Sequence, residues 1–280
     1  MSRGAANLTA VLVALALALF AAAGGRTAPT PTISASLTVR DALGTALECR
    51  AYQRVVSLSI LSDALLVELL EPERLIAGCA WSQGAEAFKL GARPRLRSVD
   101  ELEAILALKP DLVIVSTSAI APLTRLRAAG IAVYEMGDLT GWTQCAQTIT
   151  AFGRLLRVEE RARRLLTRSE ARLAAVAAHP PPSRPRALWV SVIGDRLYGG
   201  TVGTSYHDLL VRAGCIDAAA GRYRAWPEYS LEDLLTLDAE LLVTAAGQAE
   251  LLRRRAGGDR LRSRIIELPE AVAGDPGLGL

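Results

Sequence analysis

The sequence predicts an α/β fold of two similar lobes, each a mostly parallel, doubly wound sheet, joined by a long α-helix. From Arg54 onward, short apolar runs alternate with helical patterns, the rhythm of repeated βα units. Residues 141–178 break that rhythm: they hold no proline and, past Gly141, only Gly153 as a glycine. One pattern is also written twice, 129 positions apart, a spacing of about one domain and far too long for a solenoid.

The pattern is clearest over residues 98–115. Ser98 followed by Glu101 reads as a capping box, each side chain satisfying a backbone donor that the first helical turn leaves open. Leu102, Ile105, Leu106 and Leu108 then form an apolar stripe at helical spacing. Lys109 and Pro110 end the helix, since proline disfavours helical geometry in the residue before it. Asp111 opens residues 112–115, a short apolar run suited to a strand covered on both faces. Residues 230–243 repeat this with a Ser cap, a short apolar helix, Glu240 and a second buried strand. Aligning Asp111 with Glu240 places Glu103 on Glu232, and a weaker echo pairs residues 63–67 with 208–212.

Taken in order, residues 1–23 read as an export signal: Arg3 supplies positive charge, residues 8–23 are apolar, and residues 21–23 offer a small-residue cleavage site. That apolar run is shorter than the roughly 20 residues a membrane span needs. Residues 24–35 read as a flexible leader. Residues 36–140 make the expected N-terminal lobe: a small hairpin over 37–45, a strand over 55–60, a helix over 63–70, a strand over 75–80, the repeated pair, a helix over 123–129 and a strand over 131–136. Residues 141–185 form the bridge, as one helix or two joined near Arg157 and Val158, closed by a proline-rich tract. Residues 186–280 form the C-terminal lobe, with a strand over 187–192, a helix over 205–213, the second repeat and a strand over 265–268.

Composition sets limits. At 51% hydrophobic and 22% charged, the chain of 280 residues is globular in type. Its 32 basic groups are spread among 29 acidic ones, which argues against a nucleic-acid partner. Cys49, Cys79, Cys145 and Cys215 match no zinc spacing and allow three disulfide pairings or free buried thiols. None lies near the cleavage site, so no lipid anchor is expected.

Catalytic signatures are thin. There is no Gly-x-Ser-x-Gly elbow, Walker loop or Gly-x-Gly-x-x-Gly. Two histidines, His179 and His207, cannot build a three-histidine metal site. No catalytic residue, metal site or cofactor is therefore assigned, and no enzyme is expected. Open α/β sheets bind ligands at the carboxyl ends of their strands, which points to residues 59–62, 81–83 and 116–118, and to 194–206 and 224–229. Aromatics make up only 5% of the chain, so Trp81 and Trp226 in polar loops stand out as candidate ligand contacts. Arg97, Ser116, Tyr206 and Tyr229 complete the candidate set, with Arg95 beside Arg97.

The chain resembles the periplasmic substrate-binding proteins of ABC importers for cobalamin, ferric siderophores and haem, the class hinged by one long helix. The matching pieces are residues 41–44 before 54–58, Glu103 through Ile114, 126–131, 158–166, 209–214 and Trp226 through Glu232. They span about residues 37 to 270. The resemblance implies a periplasmic, exported, monomeric protein that captures a metal chelate between its lobes, cobalamin-like first and ferric siderophore or haem next. It also implies a partner, an ABC permease dimer in the inner membrane, whose arginines receive Glu103 and Glu232. Cobalamin binders carry an aromatic before the first docking helix where this chain has Arg97, and the class commonly ends in a further helix for which residues 270–280 show no pattern. The alternatives are a metal-centre enzyme subunit of nitrogenase-like fold and an exported sensor or scaffold without small-molecule transport.

Overall fold

The computed structural model describes residues 37–82, 87, 89–116, 119–255 and 262–269. The expected export signal and leader, and residues 270–280, lie outside the described residues. The described residues open on a hairpin, β1 (Thr38–Arg40) with β2 (Ala46–Glu48), paired antiparallel. Asp41 sets its turn by accepting the amides of Leu43 and Thr45 at 3.0 and 2.7 Å.

The first sheet has the order β5-β4-β3-β6-β7, all parallel. Its strands are β3 (Val55–Ser57), β4 (Leu75–Cys79), β5 (Arg95–Leu96), β6 (Leu112–Val115) and β7 (Ala132–Glu135). Alternate residues supply two separate cores. Val55, Leu112 and Ile114 face α1 (Ile60–Leu69) and the bridge helices, whereas Val56, Val113 and Val115 face α2 (Leu102–Ala107) and α3 (Ile120–Ala128). Both faces being covered, the strands read as unbroken apolar runs.

The bridge is two helices, α4 (Trp142–Leu156) and α5 (Glu159–Ala177), joined by a left-handed Arg157 at φ 57. Phe152, Leu155, Leu156 and Leu165 sink into the first-sheet core. The helices approach closely at Gly153, where an added Cβ would lie 2.7 Å from that of Ala162. The arginine face of α5 is a solvated, ion-paired one: Arg163 and Arg164 meet Glu160, Arg161 meets Glu71 and Arg168 meets Glu68. Among the described residues no helix is long and apolar enough to cross a membrane.

The second sheet runs β11-β9-β8-β12-β13, with β10 also on β8. Strands β8 (Arg186–Ile193), β10 (Ile216–Asp217), β12 (Leu241–Ala245) and β13 (Arg264–Leu268) are parallel, while β9 (Arg196–Gly199) folds back on β8 through a tight turn at Gly194, φ 64. β11 (Glu228–Tyr229) extends that antiparallel edge. On one face lie α7 (Leu231–Thr236) and α8 (Ala249–Arg255), on the other α6 (Ser205–Arg212).

The internal repeat is a repeat of tertiary bonds. In the first lobe the Asp111 carboxylate accepts the amides of Gln53 and Arg54 at 2.8 and 2.9 Å, and the Arg54 guanidinium donates to the carbonyls of Leu108 and Lys109. In the second, Glu240 accepts the amide of Arg186 at 3.0 Å, and Arg186 donates to the carbonyls of Leu237 and Asp238. Each arginine satisfies carbonyls that a helix end leaves open. Lys109 and Asp238 both turn through left-handed backbone, at φ 48 and 47.

Two details of the repeat differ from the sequence reading. Ser98 and Glu101 form no capping box: the Ser98 hydroxyl accepts the Asp100 amide, Glu101 accepts the Arg97 amide, and α2 starts only at Leu102. A genuine box forms at Ser230, reciprocally with Asp233. There the Tyr223 hydroxyl, together with the Ser230 amide and hydroxyl, holds the Asp233 carboxyl down to about 2. Leu106, read as part of the inward stripe, points outward; the inward face is Leu102, Ile105 and Leu108.

Candidate functional site

A cavity of ≈ 420 Å³ opens between the two sheets, within the range of about 300–1,000 Å³ usual for small-molecule sites. The first lobe contributes Ser59, Ile60 and Leu61 at the start of α1, Cys79 and Trp81 after β4, Ser116 after β6, and Asp138, Leu139 and Thr140 after β7. All follow carboxyl ends of parallel strands, where the side chains of an open sheet converge. The second lobe contributes Gly203 to Tyr206 and Trp226.

On the second lobe the wall is an aromatic shelf. Tyr206 lies flat on the buried Trp189, with ring centroids 4.0 Å apart and planes at 18°. Trp226 stands edge-on to Tyr206 at 5.4 Å and 84°. Gly200 makes room, since a Cβ there would lie 2.5 Å from the Tyr206 ring. Trp226 keeps 59% of its surface exposed, held from behind and free in front. Across the cavity Trp81 is also 59% exposed, and its indole N–H makes a long bond of 3.4 Å to the Arg97 carbonyl. An aromatic ring is thus tied to the segment that leads into α2, brought by a different loop.

The floor is hydroxyl-lined. Ser57 and Ser59 each bond to Ser62, at 2.6 and 2.9 Å, and Ser59 caps α1. Beneath it Asp63 is wholly buried, its Oδ2 accepting the Cys79 amide at 2.8 Å and the Ser82 hydroxyl at 2.5 Å, its Oδ1 without a partner among the described residues. Burial pushes the Asp63 carboxyl up, against the pull of the Ser82 hydroxyl and the Cys79 amide. Burial likewise pushes the Cys79 thiol up. All four cysteines are buried and none is in a disulfide.

The lobes meet at the back of the cavity. The Trp142 amide, at the start of α4, donates to the Asp208 carboxylate of α6 at 2.8 Å, and Arg212 donates to the same oxygen at 2.7 Å. Gly141 precedes α4 with no side chain of its own to cap it, and an added Cβ would lie 2.8 Å from Asp208. Asp208 therefore supplies from the second lobe the N-terminal cap that α4 lacks.

Of the sequence candidates, Trp81, Ser116, Tyr206 and Trp226 line the cavity. Arg97 and Tyr229 do not. The Arg97 backbone is tied to Trp81 and Glu101 while its side chain lies outside the lining. Tyr229 is buried under Gly199, where a Cβ would lie 2.3 Å from its hydroxyl, and that hydroxyl has no partner among the described residues. Arg95 is spent on the carbonyls of Cys79 and Ala87. Among the described lining residues there is no Lys or Arg, and among the described residues no group of His, Cys, Asp and Glu could hold a metal ion. Residues 138–140 were missed, although they follow a strand end like the loops that were found. The echo aligns Asp208 with Asp63 but gives no hint of its role, and Trp189 carries no signal, because both roles depend on a partner far along the chain.

Glu103 and Glu232 take equivalent places, each the second residue of its helix, exposed and without an ion pair among the described residues. Glu232 stands six positions beyond the cavity residue Trp226, and Glu103 six beyond Arg97, whose carbonyl accepts the indole N–H of the cavity residue Trp81.

The sequence profile of the periplasmic binding protein family matches residues 82–274. A vitamin B12-binding protein of Photorhabdus laumondii is 26% identical over 221 residues, covering 78% of this chain and 80% of its own. Among solved structures, a periplasmic heme binding protein from Pseudomonas aeruginosa is 25% identical with a TM-score of 0.63, covering 79% of this chain and 86% of its own. A possible iron-binding, periplasmic solute-binding protein from Staphylococcus epidermidis is 18% identical with a TM-score of 0.69, over 82% of this chain and 95% of its own.

Proposed function

The chain belongs to the periplasmic binding protein family, and we propose that it captures a metal chelate between its lobes and delivers it to an ABC permease in the inner membrane. The observation that carries this reading is the cavity itself, flanked by two half-exposed tryptophans on opposite lobes. Two such faces suit a broad, partly apolar ring, the natural partner of stacked indoles. A cobalamin-like corrinoid fits best. Its periphery carries amides, which Ser59, Ser116, Thr140 and Asp138 can meet by hydrogen bonding. Haem and ferric siderophores rank behind it, because their anionic groups would call for the charge-assisted partners that the described lining lacks.

No covalent step belongs to this reading. The chelate enters, the aromatic shelf and Trp81 hold it, and the Asp208 contact keeps the lobes at a fixed gap. Glu103 and Glu232 hold matched positions on the two lobes, so a pseudo-symmetric permease dimer would engage one acid with each half. Residues 1–23 would direct a monomer to the periplasm. The test is the pair Glu103→Arg with Glu232→Arg: uptake is lost while ligand affinity stays within about threefold. Normal uptake by that pair would refute the docking, and loss of ligand binding would place both acids in the cleft or the fold.

A further inference from the structure

The outward faces of α2 and α7 carry a second matched pair. Leu106 is 38% exposed and Leu235 is 45% exposed, and they too are 129 positions apart. Each lies three residues after the glutamate of its helix, so acid and leucine share one face. The helices do not need these leucines for their own packing. Leu102, Ile105 and Leu108 bury the inward face of α2, and Leu231, Leu234 and Leu237 do the same for α7. A single exposed leucine on a surface calls for no explanation. Two in the same register of two lobes, each one turn from an acid without an ion pair, do.

We propose that Leu106 and Leu235 are the apolar half of a two-part docking contact. Each lobe presents a carboxylate and a leucine to one half of a twofold-symmetric membrane permease, which offers a cation beside an apolar hollow. This rests on the reading of Glu103 and Glu232 as docking residues. The acids set orientation and on-rate, as interfacial charges do. The leucines supply burial, which an exposed ion pair alone does not. The division explains why the pattern is acid plus leucine and not acid alone.

The test replaces the chromosomal copy in the source bacterium with Leu106→Ser and Leu235→Ser, singly and together, beside the double glutamate reversal. Accumulation of cobalt-labelled cyanocobalamin and iron-labelled haemin is measured, with calorimetric affinity and thermal midpoint on the purified chains. The double leucine variant is expected to lower uptake by at least about tenfold, from the burial lost at two sites. Affinity and midpoint stay at wild-type values, and the single variants fall by similar factors. If the glutamate pair abolishes uptake and the leucine pair leaves it within about twofold, the inference fails and the docking reading stands. If neither pair alters uptake, or wild-type cells accumulate neither solute, both fall. A leucine variant that changes the oligomeric state in sedimentation would assign the patch to a second copy of this chain and overturn the inference.

Discussion

Replacing Asp208 by Ala removes the carboxylate that reaches the start of α4 from the other lobe. A hydrogen bond to a charged group contributes about 1.5–3 kcal/mol. The Asp208 side chain is 29% exposed, so the lower end applies, and losing a helix cap gives a similar figure of about 1 kcal/mol. The exposed Arg212 pair adds only about 0.3–0.5 kcal/mol. Gly141→Ala attacks the same bond from its other side, because the new Cβ at 2.8 Å must displace Asp208. Each single variant is therefore expected to lower the unfolding free energy by about 1–2 kcal/mol. Since both break one contact, the double variant should cost little more than the larger single, a coupling of about 1 kcal/mol. Urea unfolding followed by far-UV circular dichroism measures all three, with Arg212→Ala as control. Additive losses from Asp208→Ala and Gly141→Ala would show that the two sites are independent and that this contact does not hold the lobes.

Four further outcomes are expected. Trp81→Ala and Trp226→Ala should each weaken chelate binding by about 0.5–1.5 kcal/mol from lost ring contact alone, read by calorimetry. Ser230→Ala should cost about 1 kcal/mol of stability, whereas Ser98→Ala, whose hydroxyl caps no helix, should leave the urea midpoint nearly unchanged. Tyr229→Phe removes a buried hydroxyl without a partner among the described residues, so unfolding free energy should hold or rise by up to about 1 kcal/mol. The raised carboxyl of Asp63 binds its proton more tightly folded than unfolded, so its contribution is full below the ordinary Asp value and is lost as pH rises through the folded one. Asp63→Asn should flatten that part of the stability profile between acid and neutral pH, and an unchanged profile would remove Asp63 from it.

The sequence made legible what local pattern dictates. The βα rhythm and the 129-residue repeat follow from apolar period, proline and glycine, which act within a few residues, whereas the bridge read equally as one helix or two and only the left-handed Arg157 decides for two. Trp81 and Trp226 were legible because a large ring in a polar loop is costly unless it meets something. What escaped depends on distant partners. Ser98 has the spacing of a cap, yet the nearer Asp100 amide claims its hydroxyl. Arg97 follows a strand end as read, yet its side chain stays outside the lining, and Tyr229 belongs to β11, which buries it. The hairpin at Gly194 and Asp195 was signalled by a Gly-Asp pair between apolar runs, and it was hidden by expecting parallel strands to continue. Leu106 fits the helical stripe by number, and only packing shows that three inward residues fill the face.

The most direct measurement is calorimetric titration of the purified chain with cyanocobalamin, haemin and a ferric siderophore, repeated on the Trp81→Ala, Trp226→Ala double variant. Saturable one-to-one binding of a chelate, tightest for the corrinoid and sharply weakened in the double variant, is the expected result. No heat with any of the three, or binding that ignores both tryptophans, would contradict the site between the lobes.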